Sequence, residues 1–272
     1  MENVLRALGD LLIPRACLVC GCTLGAHEQH LCLACAADVP YTGFWREAHN
    51  PLADRFNEVI ERHRGLEPAA YAYATALIYY KSGYRGIPRA LKYHGALAAG
   101  RYFGALLGRQ IAAAPHLADV DLVIPVPLHW TRRWSRGYNQ AEVLSRAIAD
   151  VLGAPCRTDL LVRSRRTRTQ THLSVEEKAR NVASAFRVRH GLDLFRHFRP
   201  GFFRHFRPGF FRHFRPDRES PLATARHILL LDDTFTTGST LYACYAALRP
   251  HTNARISVAT LAAVEGKPSA GR

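Results

Sequence analysis

The chain has 272 residues, with 37 Lys+Arg against 22 Asp+Glu, seven Cys, one Met and 48% hydrophobic residues. That length is enough to bury a real core, as one larger domain or a domain plus a small module, and the apolar share excludes wholesale disorder. The formal net charge of +15 points to an anionic partner: nucleic acid, a membrane surface or a phosphorylated small molecule.

The first residues, M-E-N-V-L-R-A-L-G-D-L-L-I-P, lack the charged-then-apolar layout of a signal segment. Val4, Leu5, Leu8, Leu11 and Leu12 instead fall on one face of a short helix. The longest apolar candidate, Pro68 to Tyr80, is shorter than the ~18–20 residues a membrane-spanning helix needs, so no span and a cytoplasmic location are expected.

Five cysteines then crowd together: Cys17, Cys20, Cys22, Cys32 and Cys35. The spacing is C-x2-C, eleven residues, then C-x2-C. Two such knuckles can bring four thiolates to one tetrahedral zinc ion, which predicts a closed structural site on Cys17, Cys20, Cys32 and Cys35. Cys22, His27 and His30 are spare donors, so four cysteines or three plus a histidine both remain open. Disulfide pairing is the alternative, disfavoured in a reducing compartment. A segment this small has little core, and the metal would supply its folding energy. Cys156 and Cys244 read as ordinary buried cysteines.

The polar stretch with Gly43, Pro51 and Gly65 reads as a connection. From Ala69 the pattern alternates strand and helix. Tyr71 to Tyr80 resembles an exposed-edge strand. Arg85 to Tyr93 and Ala96 to Ala113 read as helices, the second with Gly100, Gly104 and Gly108 at the four-residue spacing of close helix packing. Val120 to Val126 reads as a strand, Asn139 to Leu152 as an amphipathic helix, and Leu160 to Val162 as a further strand. Ser174 to Ala183 reads as a helix opened by a capping box of Ser174 and Glu177. His227 to Leu231 is a buried-type strand, Leu241 to Leu248 a helix and Ile256 to Ala263 a strand. This alternation predicts an α/β fold with a mostly parallel sheet covered on both faces by helices.

One segment departs from that order. Residues 195–216 repeat the unit F-R-H-F-R-P-G-F nearly three times without a mismatch. A Phe/Arg segment can stack on bases and grip phosphates. Perfect copies favour a tandem duplication lodged in a tolerant loop. The repeat holds six Arg and no acid, so the rest of the chain carries +9, which weakens the charge as evidence for nucleic acid.

The chemistry concentrates in His227 to Thr240, H-I-L-L-L-D-D-T-F-T-T-G-S-T. In an open α/β sheet, ligands bind beyond the carboxyl ends of the strands. Thr236, Thr237, Gly238, Ser239 and Thr240 at a helix N-terminus offer N–H groups and hydroxyls to a phosphate. Asp232 and Asp233 before them can accept hydrogen bonds from a vicinal diol. Together they describe a ribose 5-phosphate site. The P-loop, the G-x-G-x-x-G fingerprint and the G-x-S-x-G elbow are all absent.

The run Leu229 to Leu241 resembles the phosphoribosyl pyrophosphate (PRPP) motif of type I phosphoribosyltransferases. Four further segments resemble the ComF (competence protein F) branch. These are the double C-x2-C, I-P-V-P-L-H-W-T-R-R-W-S-R-G-Y-N-Q-A-E from Ile124, R-T-R-T-Q-T-H-L-S-x4-A-R-N-V-x-x-A-F from Arg166, and A-L-K-Y-H-G from Ala90. The resemblance implies an N-terminal helix and zinc ribbon over 1–50. A type I phosphoribosyltransferase-like domain follows over 51–272, with the repeat inserted at 195–216. It implies that Asp232 and Asp233 hold the ribose hydroxyls and Thr236 to Thr240 the 5-phosphate. Arg136, Gly137, Tyr138 and Asn139 would lie where the family binds pyrophosphate, and Arg166 to Leu173 would form a mobile loop. Magnesium would ride on the ligand's oxygens. Asp232, Asp233 and Arg136 are the expected catalytic residues. Among Arg132, Arg133 and Arg136, the last is favoured because Gly137 allows close backbone approach. The resemblance implies transfer of phosphoribosyl to an acceptor the sequence does not identify. The alternative is a DNA-binding accessory role in DNA uptake or single-strand processing, with single-stranded DNA and uptake proteins as partners. Two features depart from the family pattern: Thr234 stands where an aliphatic residue is usual, and the repeat has no counterpart.

Overall fold

Four consecutive aliphatic residues, Ile228 to Leu231, organise the sheet. The computed structural model describes residues 14–64, 70–93, 95–163, 185–189 and 220–266. In chain order the helices are α1 (Leu33–Ala37), α2 (Pro51–Arg64), α3 (Gly86–Tyr93), α4 (Leu97–Ala112), α5 (Trp130–Arg136), α6 (Gln140–Leu152), α7 (Pro221–Thr224) and α8 (Ser239–Leu248). The strands are β1 (Ala74–Tyr79), β2 (Leu122–Pro125), β3 (Leu161–Arg163), β4 (Phe186–Val188), β5 (His227–Phe235) and β6 (Arg255–Ala263). β1, β6, β5 and β2 lie in that order in one wholly parallel sheet, while β3 and β4 form a separate antiparallel pair.

Successive strand side chains point to opposite faces. Ile228 and Leu230 therefore join one core with Phe56 of α2 and Leu248 of α8. Leu229 and Leu231 join the other with Phe103 of α4 and Ile148 of α6. Both faces are buried, which is why β5 reads as a continuous apolar run rather than an alternating one. The expected α/β architecture of a mostly parallel sheet flanked by helices is what the structure has.

The three glycines of α4 serve packing, as their spacing implied. A Cβ at Gly104 would lie 2.9 Å from the Ala147 Cβ and 3.0 Å from the Leu144 carbonyl of α6. Only a bare backbone lets the two helices approach so closely. Asn139 caps α6 by accepting from the Ala141 N–H at 3.2 Å, and Gly153 ends it at φ 65°.

Three expectations need correction. The stretch expected to be a connection contains α2: Asn50 Oδ1 accepts from the Leu52 and Ala53 N–H groups, and Pro51 suits the first helical position. Leu52, Phe56 and Ile60 then form the stripe that α2 buries, each at most 1% exposed. β1 is an edge strand but not an exposed one. Ala74, Ala76, Leu77 and Ile78 are fully buried, and its free edge is met by the Tyr41–Ile78 bridge and by Tyr79 N–H donating to the Pro40 carbonyl. β5 runs past Leu231 to Phe235, because β6 continues to offer partners: Asp232 pairs with Thr260 and Phe235 with Ala263.

At the opposite end of β5, His227 is pinned between strands. Its Nδ1 lies 2.6 Å from Asp119 Oδ1 and its Nε2 lies 2.7 Å from Ser257 Oγ on β6. The amphipathic N-terminal residues Val4 to Leu12, the loop Arg166 to Leu173, the helix Ser174 to Ala183 and the repeat 195–216 lie outside the described residues. No described helix is long and apolar enough to cross a membrane.

Candidate functional site

Two constellations carry chemistry. In the first, the sulfurs of Cys17, Cys20, Cys22 and Cys32 all lie within 4.8 Å of one another. Cys20 Sγ and Cys32 Sγ are 3.7 Å apart. Tetrahedral zinc with Zn–S bonds near 2.3 Å sets its sulfurs about 3.8 Å apart, so the donor set and spacing fit that ion. Burial pushes the Cys17 thiol up, but N–H groups of Cys20, Cys32 and Val19 pointing at its sulfur outweigh this and bring it down to about 6. That favours the thiolate, the form that ligates metal. The Cys22 thiol, hydrogen-bonded to Cys20 and Cys32, is pushed up to about 12. Cys35 is raised by burial and by the neighbouring thiols of Cys32, Cys20 and Cys17. The four sulfurs gathered here thus include Cys22, a spare donor by spacing, and not Cys35, the expected fourth ligand. Among the described residues neither His27 nor His30 joins the cluster; His30 packs on the Tyr102 and Phe103 rings of α4. The ribbon seats on the start of α3: Tyr84 Oη donates to the Cys35 carbonyl at 2.9 Å, and a Cβ at Gly86 would meet the Leu18 carbonyl oxygen at 2.0 Å.

The second constellation lies at the carboxyl end of β5. Asp232 Oδ1 accepts from the Asp233 N–H at 2.8 Å. Lys92 Nζ, near the end of α3, lies 3.1 Å from Asp233 Oδ2. Burial and the Asp233 carboxylate push the Asp232 carboxyl up to about 7, against the pull of Lys92 and Arg163. A pair of carboxylates held together with a lysine at a strand end is an arrangement that only a bound partner, or the lysine itself, makes comfortable.

The loop that follows is built around Gly238, whose φ of 77° is left-handed and which opens α8. A Cβ there would meet the Phe235 ring at 2.9 Å. Thr236 and Thr237 are exposed, and Thr237 Oγ1 lies 2.9 Å from Ser239 Oγ. The first N–H groups of α8 point into this loop without helical acceptors, as at every helix start. Arg55 of α2 fixes the loop from behind: its guanidinium donates to the Thr236 and Val264 carbonyls, each at 2.8 Å, and lies 5.2 Å from the Phe235 ring centroid.

The segment Arg136 to Asn139 is tied to the same end of α3. Tyr138 Oη donates to the Leu91 carbonyl, and the Arg136 guanidinium lies 5.5 Å from the Tyr93 ring while donating to Gln140 Oε1 at 3.1 Å. α3 therefore touches both predicted halves, with Lys92 on the carboxylates and Leu91 and Tyr93 on the Arg136 loop. Asn139 is buried, with its side chain spent on capping α6 and on the Val126 carbonyl at 3.0 Å, so it shapes the loop from within. Gly137, at φ 77°, ends α5.

Three site residues were not assigned from sequence: Lys92, Arg55 and Arg163. Lys92 stands inside A-L-K-Y-H-G, a segment the resemblance quoted without giving its lysine a role. Arg55 sits in the stretch read as a connection, which removed it from view. Thr234, the departure from the family pattern, has a buried hydroxyl without a hydrogen-bond partner among the described residues, as expected at a position suited to an aliphatic side chain.

No family model matches the chain. Over 121 residues, 44% of its length, it is 31% identical to competence protein F of Haemophilus influenzae, of which the match covers 41%. It is 31% identical over 121 residues to DNA utilization protein YhgH of Salmonella typhi and 29% identical to that of Escherichia coli (strain K12), covering 40% of each. The chain thus spans about two fifths of the length of these curated relatives.

Proposed function

We propose that this chain, which belongs to the ComF family of competence protein F, binds PRPP or a related ribose 5-phosphate at the end of β5 and acts as a phosphoribosyltransferase-like protein in DNA uptake. The observation that carries this reading is the joining of Asp232 and Asp233, met by Lys92 from α3, to the Gly238 loop on one strand–loop–helix unit. The carboxylates accept the ribose hydroxyls, and the Thr236–Thr240 loop holds the 5-phosphate with N–H groups and hydroxyls. Arg136, beside Gly137, faces the pyrophosphate. Magnesium, when bound with the ligand, neutralises charge on the pyrophosphate oxygens.

Transfer would break the glycosidic C–O bond through an oxocarbenium-like state, with the bond's electron pair leaving on pyrophosphate. The protein's own task is to stabilise that departing charge, and fixed donors in a partly dry site do so best. Asp232, whose carboxyl is raised to about 7 by burial and by Asp233, becomes the better acceptor once the ribose hydroxyls and the ligand's cation arrive. Calorimetric titration with PRPP and magnesium tests the reading: wild type binds saturably, and Asp233→Ala binds at least tenfold more weakly. Equal binding by the two proteins would refute it.

The accessory role in handling DNA has its own support. The relatives are named for competence and DNA utilization, and α5 presents exposed Trp130 and Trp134 (65% and 80%) among arginines. Phosphate contacts release counterions, so single-strand affinity should fall steeply from low to moderate salt. A flat salt response would remove this reading. The structural zinc of the ribbon belongs to the same proposal, as a fold-holding ion rather than a catalytic one.

A further inference from the structure

A second concavity lies apart from the Gly238 loop. It is a cleft of about 580 Å³ between the turn after β2 and the β3–β4 pair. Its walls differ in kind. One side is apolar, formed by the prolines and leucine that follow β2 and by the Trp130 indole. The indole is 65% exposed, and the ring of the buried His129 before it lies 5.6 Å away between centroids. The other side brings Arg133, Arg163, Arg187 and Arg189 to one space.

Among the described residues one acid lines this cleft, Glu142, and it lies between Arg133 of the cleft and Arg146 outside it. Glu142 lies 2.8 Å from Arg146 and 3.8 Å from Arg133. Burial, with Arg132 nearby, pulls the Arg163 guanidinium below its ordinary value, while Asp232 opposes that. Pro125, which lines the cleft, pairs across the sheet with Leu231, the residue before Asp232. Four arginines facing one flat indole suit a ligand with a planar ring at one end and a multiply charged oxyanion at the other. The volume falls in the range of single small-molecule sites, too small for an extended strand.

We propose that this cleft binds a nucleoside 5′-phosphate, its base on Trp130 and its phosphate on Arg187 and Arg189. The ligand is either a free nucleotide or the 5′-phosphorylated end of a DNA strand; the chemistry recognised is the same. Its place beside Asp232 makes it the acceptor side of the transfer if the ribose-phosphate reading holds, but binding here does not require that reading.

The test is calorimetry with 2′-deoxyadenosine 5′-monophosphate, deoxyadenosine and inorganic phosphate, each titrated into the full chain. The monophosphate is expected to bind saturably, with the nucleoside and free phosphate each about tenfold or more weaker. Losing a base–aromatic stack weakens binding about fivefold to a hundredfold, so Trp130→Ala should fall in that range. Arg187→Ala should weaken binding by about tenfold. Both side chains are exposed, so both variants should keep wild-type thermal transitions and PRPP binding. Asp233→Ala should bind the monophosphate as wild type does, which separates this site from the ribose-phosphate one. A 5′-phosphorylated dinucleotide binding more tightly than the mononucleotide would identify a strand end as the source; weaker binding would identify the free nucleotide. The proposal is overturned if the monophosphate does not bind, if Trp130→Ala and Arg187→Ala both bind as wild type, or if Asp233→Ala abolishes the binding.

Discussion

Asp232→Asn should stabilise the protein while destroying its proposed ligand site. In the folded chain the Asp232 carboxyl is moved from an ordinary value of 3.8 to about 7, first by burial and then by Asp233. A carboxyl raised on folding costs stability whenever it is ionised. The cost is absent below about pH 4, grows as pH rises towards 7 and is complete above it. At about 1.4 kcal/mol per pKa unit, the upper limit is about 4 kcal/mol. The residue is only half-buried by surface area and shares its repulsion with Asp233, so about 1–2 kcal/mol is the expected gain. Asparagine keeps the oxygen that accepts from the Asp233 N–H, so the backbone geometry is retained. Urea unfolding of both proteins at pH 4, 6 and 8 measures the effect. The expected result is coincident curves at pH 4 and a variant more stable by about 1–2 kcal/mol at pH 8. A variant equally or less stable at pH 8, or a gain independent of pH, would refute the reasoning that a functional charge is stored there at a cost to stability.

Other substitutions probe the same region. Gly238→Ala forces a side chain into a left-handed turn and against the buried Phe235 ring, so it should cost about 1–3 kcal/mol by thermal unfolding and weaken PRPP binding in calorimetry. Thr234→Val removes a buried hydroxyl without a partner and should stabilise by about 1–2 kcal/mol in urea titrations. Arg55→Ala frees the Thr236 carbonyl, and ligand affinity should fall by about tenfold with little change in far-ultraviolet circular dichroism. Zinc analysis of the purified protein should give one ion per chain; a chelator should remove it and lower the melting temperature, and Cys17→Ser should not retain it.

Much of this molecule was legible in its sequence because single physical rules dominate its central parts. β5 is buried on both faces, so its apolar run and its strand identity coincide. The Gly100, Gly104 and Gly108 stripe marks close helix packing, and α6 fills it. The ribbon's cysteines announced their convergence by spacing alone. What the residues did not announce is equally physical. α2 begins at Asn50 and Pro51, which look like a turn until the Asn50 side chain is seen capping the helix. Lys92 reaches Asp233 across 141 positions of sequence, a pairing that only the sheet order produces. Spacing favoured Cys35 over Cys22 for the fourth ligand position, whereas the fold gathers the sulfurs of Cys17, Cys20, Cys22 and Cys32.

The central claim is that one strand end holds both the diol and the 5-phosphate of a phosphorylated ribose. Phosphorus magnetic resonance of PRPP with magnesium tests it directly, because the 5-phosphate and the pyrophosphate give separate signals. Adding the protein should shift the 5-phosphate signal along with the pyrophosphate signals, and Gly238→Ala should diminish the 5-phosphate shift most. Movement of the pyrophosphate signals alone, or of none, would contradict the account.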